Sequence, residues 1–522
     1  MPTSLFERLR RDVCLLLVAS FSTIFLGVSL WVTRHGAPLP PDALEYAEVA
    51  RSLVRGEGYT IDLVEIHAGV LSTIRHLHEL HGLLEPVLLA PLFWLWGASA
   101  ALVRVPGVCF VAALSVATYL VGKHHFGNVA GAVAGLLVLT RRDLALDGTL
   151  GADDVGWAFF STLALYFFGR AVASRGDGWF VCAGTAAAFA TLEKVSGIAL
   201  PACFIVVLVR GAERPVNARS VLALVLPSLG ALGLYAFRNR MLHGGLGFRY
   251  SALDWLSKDA AAAYFAYYEQ APKVTEVLAN FGASRVFALV GQQVSLLGSV
   301  VIEQPLVFVG GPAALVFLVR RSPPFAWFGL AYSVAIAALV CVAYHVEARY
   351  LSALLPVYFV ALAGAGCALL GRAREKLHGV GPRRPLRAVV GVALVVFLWG
   401  FWGVLGLERQ LGRAVLAKRA CDPAIAFIRS SVGPHDAVLT SSPWFVTWAT
   451  ERPSVNVPTN GTDALVTVAE HYDARWAIDG LPSYGAANVG EALRALDAAG
   501  VGMRPERVFE GAECSVYRLI RQ

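Results

Sequence analysis

The sequence predicts an α-helical, polytopic membrane protein with a small α/β domain at its carboxyl end. Of its 522 residues, 57% are hydrophobic and only 16% are charged, whereas soluble domains carry about 25% charged residues. The mean hydropathy is +0.60. Near residue 407 the long apolar runs give way to short helix and strand patterns. We therefore expect a membrane domain over 1–407 and a second domain over 408–522.

Long apolar runs predict about eleven transmembrane helices, since a span needs about 20 apolar residues. The first run is too long for a cleavable signal peptide, and no small-residue cleavage site follows it. A shorter run at 83–97 contains Pro86 and Pro91, and we expect it at the outer surface. The predicted spans lie near 13–33, 105–122, 127–140, 155–169, 179–192, 195–209, 220–237, 298–319, 325–343, 350–370 and 388–407.

The distribution of basic residues predicts the orientation. Short loops that are dense in cations belong in the cytoplasm. This puts the amino terminus inside and the loops 34–104, 141–154 and 238–297 outside, with 408–522, in an inner or plasma membrane. The predicted cytoplasmic cations are Arg8, Arg10, Arg11, Lys123, Arg170, Arg175, Arg210, Arg214, Arg219, Arg320, Arg321, Arg372, Arg374, Lys376, Arg383, Arg384 and Arg387.

The net charge of +7 gives little information about partners. It is the difference between 44 Lys and Arg and 37 Asp and Glu. These basic residues form no single stripe, so we expect the lipid bilayer as a partner and no nucleic acid.

The domain at 408–522 reads as a mixture of short helices and strands. Asp422 and Pro423 predict a helix start, with Asp422 as N-cap. Strands are predicted at 437–442, 475–479 and 514–520, and a helix at 491–500. No phosphate loop, GxGxxG or catalytic-triad pattern is present. Tryptophans 444, 448 and 476 could dock this domain on a membrane or substrate, but core packing is favoured.

Two of the eight cysteines, Cys421 and Cys514, bracket this domain, whereas the other six lie in apolar runs. An extracytoplasmic compartment permits a disulfide. We predict that Cys421 and Cys514 pair; two separate buried thiols are the alternative.

The first outer loop carries a carboxylate beside a span. Asp42 follows two prolines and is predicted to cap a helix, with Glu45 completing a capping box. Tyr46 is one turn further along, on the same face. Local sequence alone favours a capping role for Asp42 over a catalytic one.

Further ionisable groups lie where apolar runs meet the outer surface. Such groups are costly at membrane depth and generally have a functional or pairing reason. A local ion pair or snorkelling is the alternative for each. We single out Asp154, Lys194, Glu303 and Arg349.

Four histidines, His67, His76, His78 and His81, are concentrated in the first outer loop. No carboxylate or cysteine frame completes a zinc site. We expect a solvated or substrate-facing cluster.

The order and spacing of these residues resemble the GT-C superfamily of integral-membrane glycosyltransferases. The similarity is to the protein O-mannosyltransferase and lipid A aminoarabinose transferase-like family, glycosyltransferase family 39-like, and it covers essentially the whole chain. The chain departs at Ala43, where the family often has Glu, and at Glu85-Pro86, where it often has Lys before two prolines. The matching elements are Asp42, Tyr46, Ala50, Gly56 and Gly58; Asp154 before Phe159-Phe160; Lys194; Arg349-Tyr350; and the segment from Trp448 to Pro453.

The resemblance implies transfer of a sugar from a polyprenyl-phosphate donor to a hydroxyl acceptor of the cell envelope, on the outer face and with inversion. Asp42 would be the general base and Asp154 would orient it or the acceptor, while Arg349 and Lys194 would hold the phosphate. No catalytic metal is expected, although some related oligosaccharyltransferases use a divalent ion. The implied substrate-binding residues are Tyr46, Glu85, Arg141, Asp153, Lys194, Glu303, His345, Arg349 and Tyr350.

Two other function classes fit many spans with charges at the membrane edge. One is a transporter or lipid flippase, although we find no internal repeat of the kind that transporters show. The other is a non-catalytic envelope scaffold whose tail binds a partner.

Overall fold

We describe the chain from a computed structural model. The described residues are 12–33, 39–65, 73–78, 82–174, 176–211, 217–243, 250–260, 263, 265–268, 273–342, 346–376, 420–482, 487–500 and 502–522. The predicted span at 388–407 and the histidines His67, His81 and His345 lie outside these residues.

Apart from short strands in the first outer loop, the regular structure described for the membrane domain is helical. Two 3-10 helices, Val195–Ile198 and Ala348–Leu354, interrupt the α-helices. The α-helices are α1 Val13–Thr33, α2 Pro41–Val54, α3 Leu84–Trp96, α4 Ala100–Phe126, α5 Asn128–Leu139, α6 Arg142–Leu150, α7 Asp153–Ser174, α8 Asp177–Glu193, α9 Ala199–Gly211, α10 Ala218–His243, α11 Tyr250–Asp259, α12 Val274–Glu303, α13 Pro305–Phe308, α14 Gly310–Leu318, α15 Pro323–Val342 and α16 Leu355–Lys376.

Seven helices among the described residues are long and apolar enough to cross a membrane. They are α1, α4, α7, α10, α12, α15, and the second 3-10 helix continued by α16. The predicted class, a helical membrane protein, is therefore confirmed. The full number of spans and their orientation remain predictions.

The bundle packs around α4, α7 and α8, and its core holds Trp157, Phe168, Phe204 and Tyr332 with almost no exposure. Phe168 and Phe204 stack with their ring centroids 4.3 Å apart. This dense core fixes the first turn of α7 and the last turn of α8, beside which Asp154 and Lys194 lie.

The third outer loop is shorter than predicted. Helix α12 begins at Val274, well before the apolar run expected at 298, and α10 continues to His243. The start of α12 is difficult to recognise in the sequence because Gly282, Arg285 and two glutamines interrupt its apolar residues. Gly282 has φ +68° and kinks the helix.

The carboxyl-terminal domain is a mixed sheet with helices on both faces. The small α/β domain predicted from the sequence is thereby confirmed. The strand order is β2-β5-β4-β6-β8-β7, where β2 is Leu63–Val64 of the first outer loop. The strands are parallel from β2 to β6 and antiparallel from β6 to β7. A disulfide joins Cys421 and Cys514 with 5.2 Å between their Cα atoms. The elements are α17 Asp422–Ser431, β4 Ala437–Thr440, α18 Pro443–Thr450, β5 Ser454–Asn456, α19 Thr462–His471, β6 Ala474–Asp479, α20 Val489–Ala499, β7 Met503–Glu510 and β8 Ser515–Arg521.

The helix predicted at Asp422 exists, but its N-cap is Cys421 and Asp422 lies in the first turn. Trp444 is buried against the first outer loop, in a cluster with Tyr46 and Leu63. The packing role favoured for this tryptophan therefore fits its position.

One strand of this sheet comes from the first outer loop. That loop contains β1 Thr60–Ile61, β2 Leu63–Val64 and β3 His76–Leu77, and β2 pairs with β5 in parallel. The Trp444 indole hydrogen-bonds to Glu65, next to β2. The loop that carries α2 is thus built into the carboxyl-terminal domain.

Candidate active site

The site begins at the amino-terminal end of α2. Pro40 is the N-cap and Pro41 the first helical residue, so Asp42 lies inside the first turn and is not the N-cap that the sequence predicted. Proline suits this position because the amide it lacks would have no partner in the helix. The Asp42 carboxylate is 17% exposed and lies 2.5 Å from Nη1 of Arg349.

Four of the predicted residues form an alternating chain of charges. Arg349 contacts Asp42, and the same Nη1 atom is 3.9 Å from Oδ2 of Asp154. Asp154 is completely buried and also accepts a hydrogen bond from the Lys194 ammonium group. The order is therefore Asp42, Arg349, Asp154, Lys194, from four separate segments of the chain.

Aromatic rings enclose the two cations. The Lys194 ammonium group lies 4.1 Å from the centre of the Tyr350 ring and 5.6 Å from that of Trp157. The Arg349 guanidinium is 5.3 Å from the Tyr350 ring. Cation–π contacts of this kind hold a cation in place without using all of its hydrogen-bond donors. These donors can therefore still reach a ligand.

A second group of acids lies behind this chain. Glu85, Asp153 and Glu193 are all less than 5% exposed, and neither oxygen of Glu85 or of Glu193 has a hydrogen-bond partner. Tyr46 lies beside Asp153, and burial, with the charge of Asp153 next, raises the pKa of its hydroxyl well above the usual value. Tyr46 is therefore neutral here.

Two acids that the sequence did not select belong to the charge chain. Glu347 pairs with Nε of Arg349. Asp147 on α6 interacts electrostatically with Asp154, Arg349 and Lys194. The sequence offered no reason to choose Asp147 over the other acids of its loop. Its position seven residues before Asp154, two turns along a helix, was the one available signal.

Two other predicted residues lie at the edge of the site. Arg141 contacts Asp143 on its own loop and Gln304 across the bundle. Glu303 is exposed at the end of α12.

Residues 81–236 match the protein family described as dolichyl-phosphate-mannose-protein mannosyltransferase. No curated protein matches the chain. The matched segment contains α3 to α9, and so it includes Asp154 on α7 and Lys194, which follows α8.

The solved structure of ArnT from Cupriavidus metallidurans bound to undecaprenyl phosphate superposes with a TM-score of 0.61, at 17% identity, over 96% of this chain and 97% of that chain. The chain has the GT-C fold. The oligosaccharyltransferase AglB from Archaeoglobus fulgidus, in complex with an inhibitory peptide and a dolichol phosphate, gives 0.56 at 14% identity, over 91% of this chain and 70% of that chain. The resemblance predicted from the sequence is thereby confirmed.

Of the four histidines of the first outer loop, His76 and His78 lie among the described residues. His78 is buried and its Nε2 lies 2.9 Å from Oε2 of Glu45, while Nδ1 of His76 contacts the Ile74 carbonyl at 2.7 Å. His78 is therefore not solvated. Among the described residues, no three His, Cys, Asp or Glu side chains are arranged to hold a metal ion.

A cavity of about 830 Å³ lies on the other side of α2, between this helix, α3 and the carboxyl-terminal domain. Its wall includes Leu44, Arg51, Arg55 and Trp448. Asp42 does not line it, so this cavity is separate from the candidate active site of the GT-C bundle.

Proposed function

We propose that this protein is a membrane glycosyltransferase that moves a sugar from a polyprenyl-phosphate donor to a hydroxyl acceptor of the cell envelope. The observation that carries the proposal is the contact between the Asp42 carboxylate and Arg349, with Asp154 and Lys194 behind it. In this arrangement a proton acceptor, Asp42, lies close to two cations, Arg349 and Lys194. The fold shared with ArnT, solved with undecaprenyl phosphate, supports a lipid-linked donor.

In the proposed reaction, Arg349 and Lys194 bind the donor phosphate. A guanidinium can hold a phosphate through two parallel hydrogen bonds. When the phosphate takes over part of the hydrogen bonding of Arg349, the Asp42 carboxylate becomes available to the acceptor. Cations placed where negative charge develops stabilise the transition state.

Asp42 is the general base in this proposal. The acceptor oxygen attacks the anomeric carbon from the face opposite the phosphate, while the acceptor proton passes to the Asp42 carboxylate. Displacement in one step inverts the configuration at that carbon. Asp154, fixed by Lys194, helps to hold Nη1 of Arg349 beside Asp42.

The test uses purified, full-length Asp42→Asn protein with a panel of polyprenyl-phosphate hexoses and pentoses, and with envelope from a strain that lacks the protein as acceptor. General-base catalysis contributes about 100- to 10,000-fold. We expect kcat to fall by that factor while donor binding is retained, since Asn keeps the shape of Asp but accepts no proton.

Asp62→Asn is the matched control. Asp62 lies in the same outer loop and its carboxylate binds Arg75, at 2.5 Å, away from the candidate site. We expect activity close to wild type. Full turnover by Asp42→Asn would contradict the general-base role, and wild-type protein that moves the donor lipid between leaflets without transferring sugar would favour a flippase.

A further inference from the structure

Asp147 is a carboxyl group of the candidate site that the reaction described above does not use. It lies on α6, which packs against α4, α7 and the 3-10 helix Ala348–Leu354 that carries Arg349. Its Oδ2 atom is shielded from solvent and has no hydrogen-bond partner.

The chain reversal after α6 explains how Asp147 reaches the site. Gly151 ends α6 with φ +76°, and a side chain at this position would also crowd the Val103 carbonyl at 3.0 Å. Helix α7 then starts at Asp153, so Asp147 and Asp154 approach each other from two helices. The Arg104 guanidinium, fully buried on α4, donates to the Thr149 carbonyl at 2.6 Å and holds α6 in place.

The charges around Asp147 favour its neutral form. Burial, together with the charges of Asp154 and Asp143, raises the pKa of Asp147 to about 8, and Arg349 and Lys194 only partly oppose this effect. The bound donor phosphate adds another negative charge close to the same cations. The charged groups that act on Asp147 are Asp143 on its own helix, Asp154 on α7, Arg349 on the 3-10 helix, and Lys194.

We propose that Asp147 is the proton donor to the departing phosphate, an assignment that rests on the proposed transferase function. The group lies among the two cations that would hold the phosphate, its Oδ2 is unpartnered, and the leaving oxygen gains negative charge. A neutral carboxylic acid in an enzyme site can act as hydrogen-bond or proton donor at neutral pH.

The proposed step replaces one bond at the anomeric carbon by another and moves two protons. The acceptor oxygen forms a bond to the anomeric carbon, and the bond from that carbon to the phosphate oxygen breaks. The electron pair stays on the phosphate oxygen, which takes the proton of Asp147, while the acceptor proton goes to Asp42. Water then removes the proton from Asp42 and reprotonates Asp147, which is only partly buried.

The variant Asp147→Asn separates this role from a structural one. Asparagine has the shape and the charge of protonated aspartic acid, so a purely structural Asp147 predicts wild-type behaviour. Loss of the proton donor instead predicts a fall in kcat of about 100-fold with an unchanged KM for the donor. Asp62→Asn, whose carboxylate pairs with Arg75 away from the charge chain, is again the control.

The pH profile is the second measurement. Asp147 is protonated below its pKa, so wild-type kcat should fall as pH rises through about 8, and Asp147→Asn should lack this limb. Wild-type kcat that stays constant up to about pH 9, or an Asp147→Asn protein with normal kcat or with only a raised KM, overturns the assignment. An inactive wild-type protein would instead overturn the proposed function.

Discussion

At the scale of single residues, the site depends on contacts between distant positions. Asp42 and Arg349 are 307 positions apart, and yet their side chains meet at 2.5 Å. Asp154 and Lys194 are 40 positions apart and also form a pair. A buried carboxylate such as Asp154 needs its partner because an uncompensated charge in a low-dielectric environment is costly.

The Lys194–Asp154 pair predicts a coupled effect on stability. Lys194→Met leaves the fully buried Asp154 carboxylate without its main partner, which should cost about 3 kcal/mol. We expect a lower Tm in detergent for Lys194→Met, and recovery of most of this loss in the double variant Lys194→Met/Asp154→Asn, because Asn carries no charge. Both proteins should be inactive.

Lys273→Met is the control for the variants of Lys194 and Asp154. Lys273 is 75% exposed and pairs with Glu276 on the same surface, and such pairs contribute at most about 1 kcal/mol. Its Tm should stay near wild type. If the double variant is no more stable than Lys194→Met, the two side chains are not energetically coupled.

The sequence identified several of these residues because each abuts an apolar run. Asp154, Lys194 and Arg349 lie next to predicted spans, where a charge requires a reason, whereas Asp42 was assigned its role through the family resemblance. Asp147 has no such signal, since it lies in a loop with other acids. Its position depends on the turn at Gly151 and on the packing of α6, which only the folded chain reveals.

At the scale of helices, the close approach of α4 and α6 positions the second outer loop. A Cβ on Gly107 would collide with the carbonyl of Gly148 and lie 3.1 Å from its Cα. Both glycines are therefore needed for this crossing, and the crossing sets the distance of Asp147 from Arg349.

Gly107→Ala should push α6 outward. Overpacking of this kind costs about 1–3 kcal/mol, so we expect a lower Tm and, since Asp147 moves with α6, a lower kcat. Gly366→Ala on α16 is the control, because nothing lies within 4 Å of the added methyl group. There the better helix propensity of Ala should leave Tm unchanged or slightly higher. Equal Tm values for the two variants would show that α4 and α6 can move apart without loss of stability, which would contradict this prediction.

Helix periodicity predicted most of the bundle, but not the role of the loops. The long apolar runs at α1, α4, α7 and α15 were evident, because spanning helices are the simplest patterns to recognise. Strand β2 has only two residues, and its sequence does not indicate that it pairs with β5. The polar interruptions in α12 likewise hid its first turns.

At the scale of the whole molecule, the outer helices present an apolar surface. Phe287 and Ile302 on α12, Phe237 on α10 and Val209 on α9 are each more than 60% exposed. Trp94 and Trp96 are exposed at the end of α3, and tryptophans of this kind anchor proteins at the membrane–water interface. This surface fits the bilayer expected as a partner.

The predicted orientation can be tested at the carboxyl end. A reporter that is active only outside the cytoplasm, fused after Gln522, should be active, and the same reporter fused after Gly211 should be inactive. The physical reason is the cluster of arginines near Gly211, which favours the cytoplasmic side. A silent fusion after Gln522 would reverse the topology and move the candidate site to the inner face.

The pairing of β2 with β5 has a consequence for biosynthesis. During translation, the first outer loop leaves the ribosome long before residues 454–456 are made, so β2 has no β5 to pair with during that time. Helix α2 also lacks Arg349 for most of that time. The site is therefore complete only after residues 454–456 have been made and have paired with β2. A chain truncated between Arg349 and β5 carries both cations proposed to bind phosphate, but it lacks the strand that anchors the loop of Asp42.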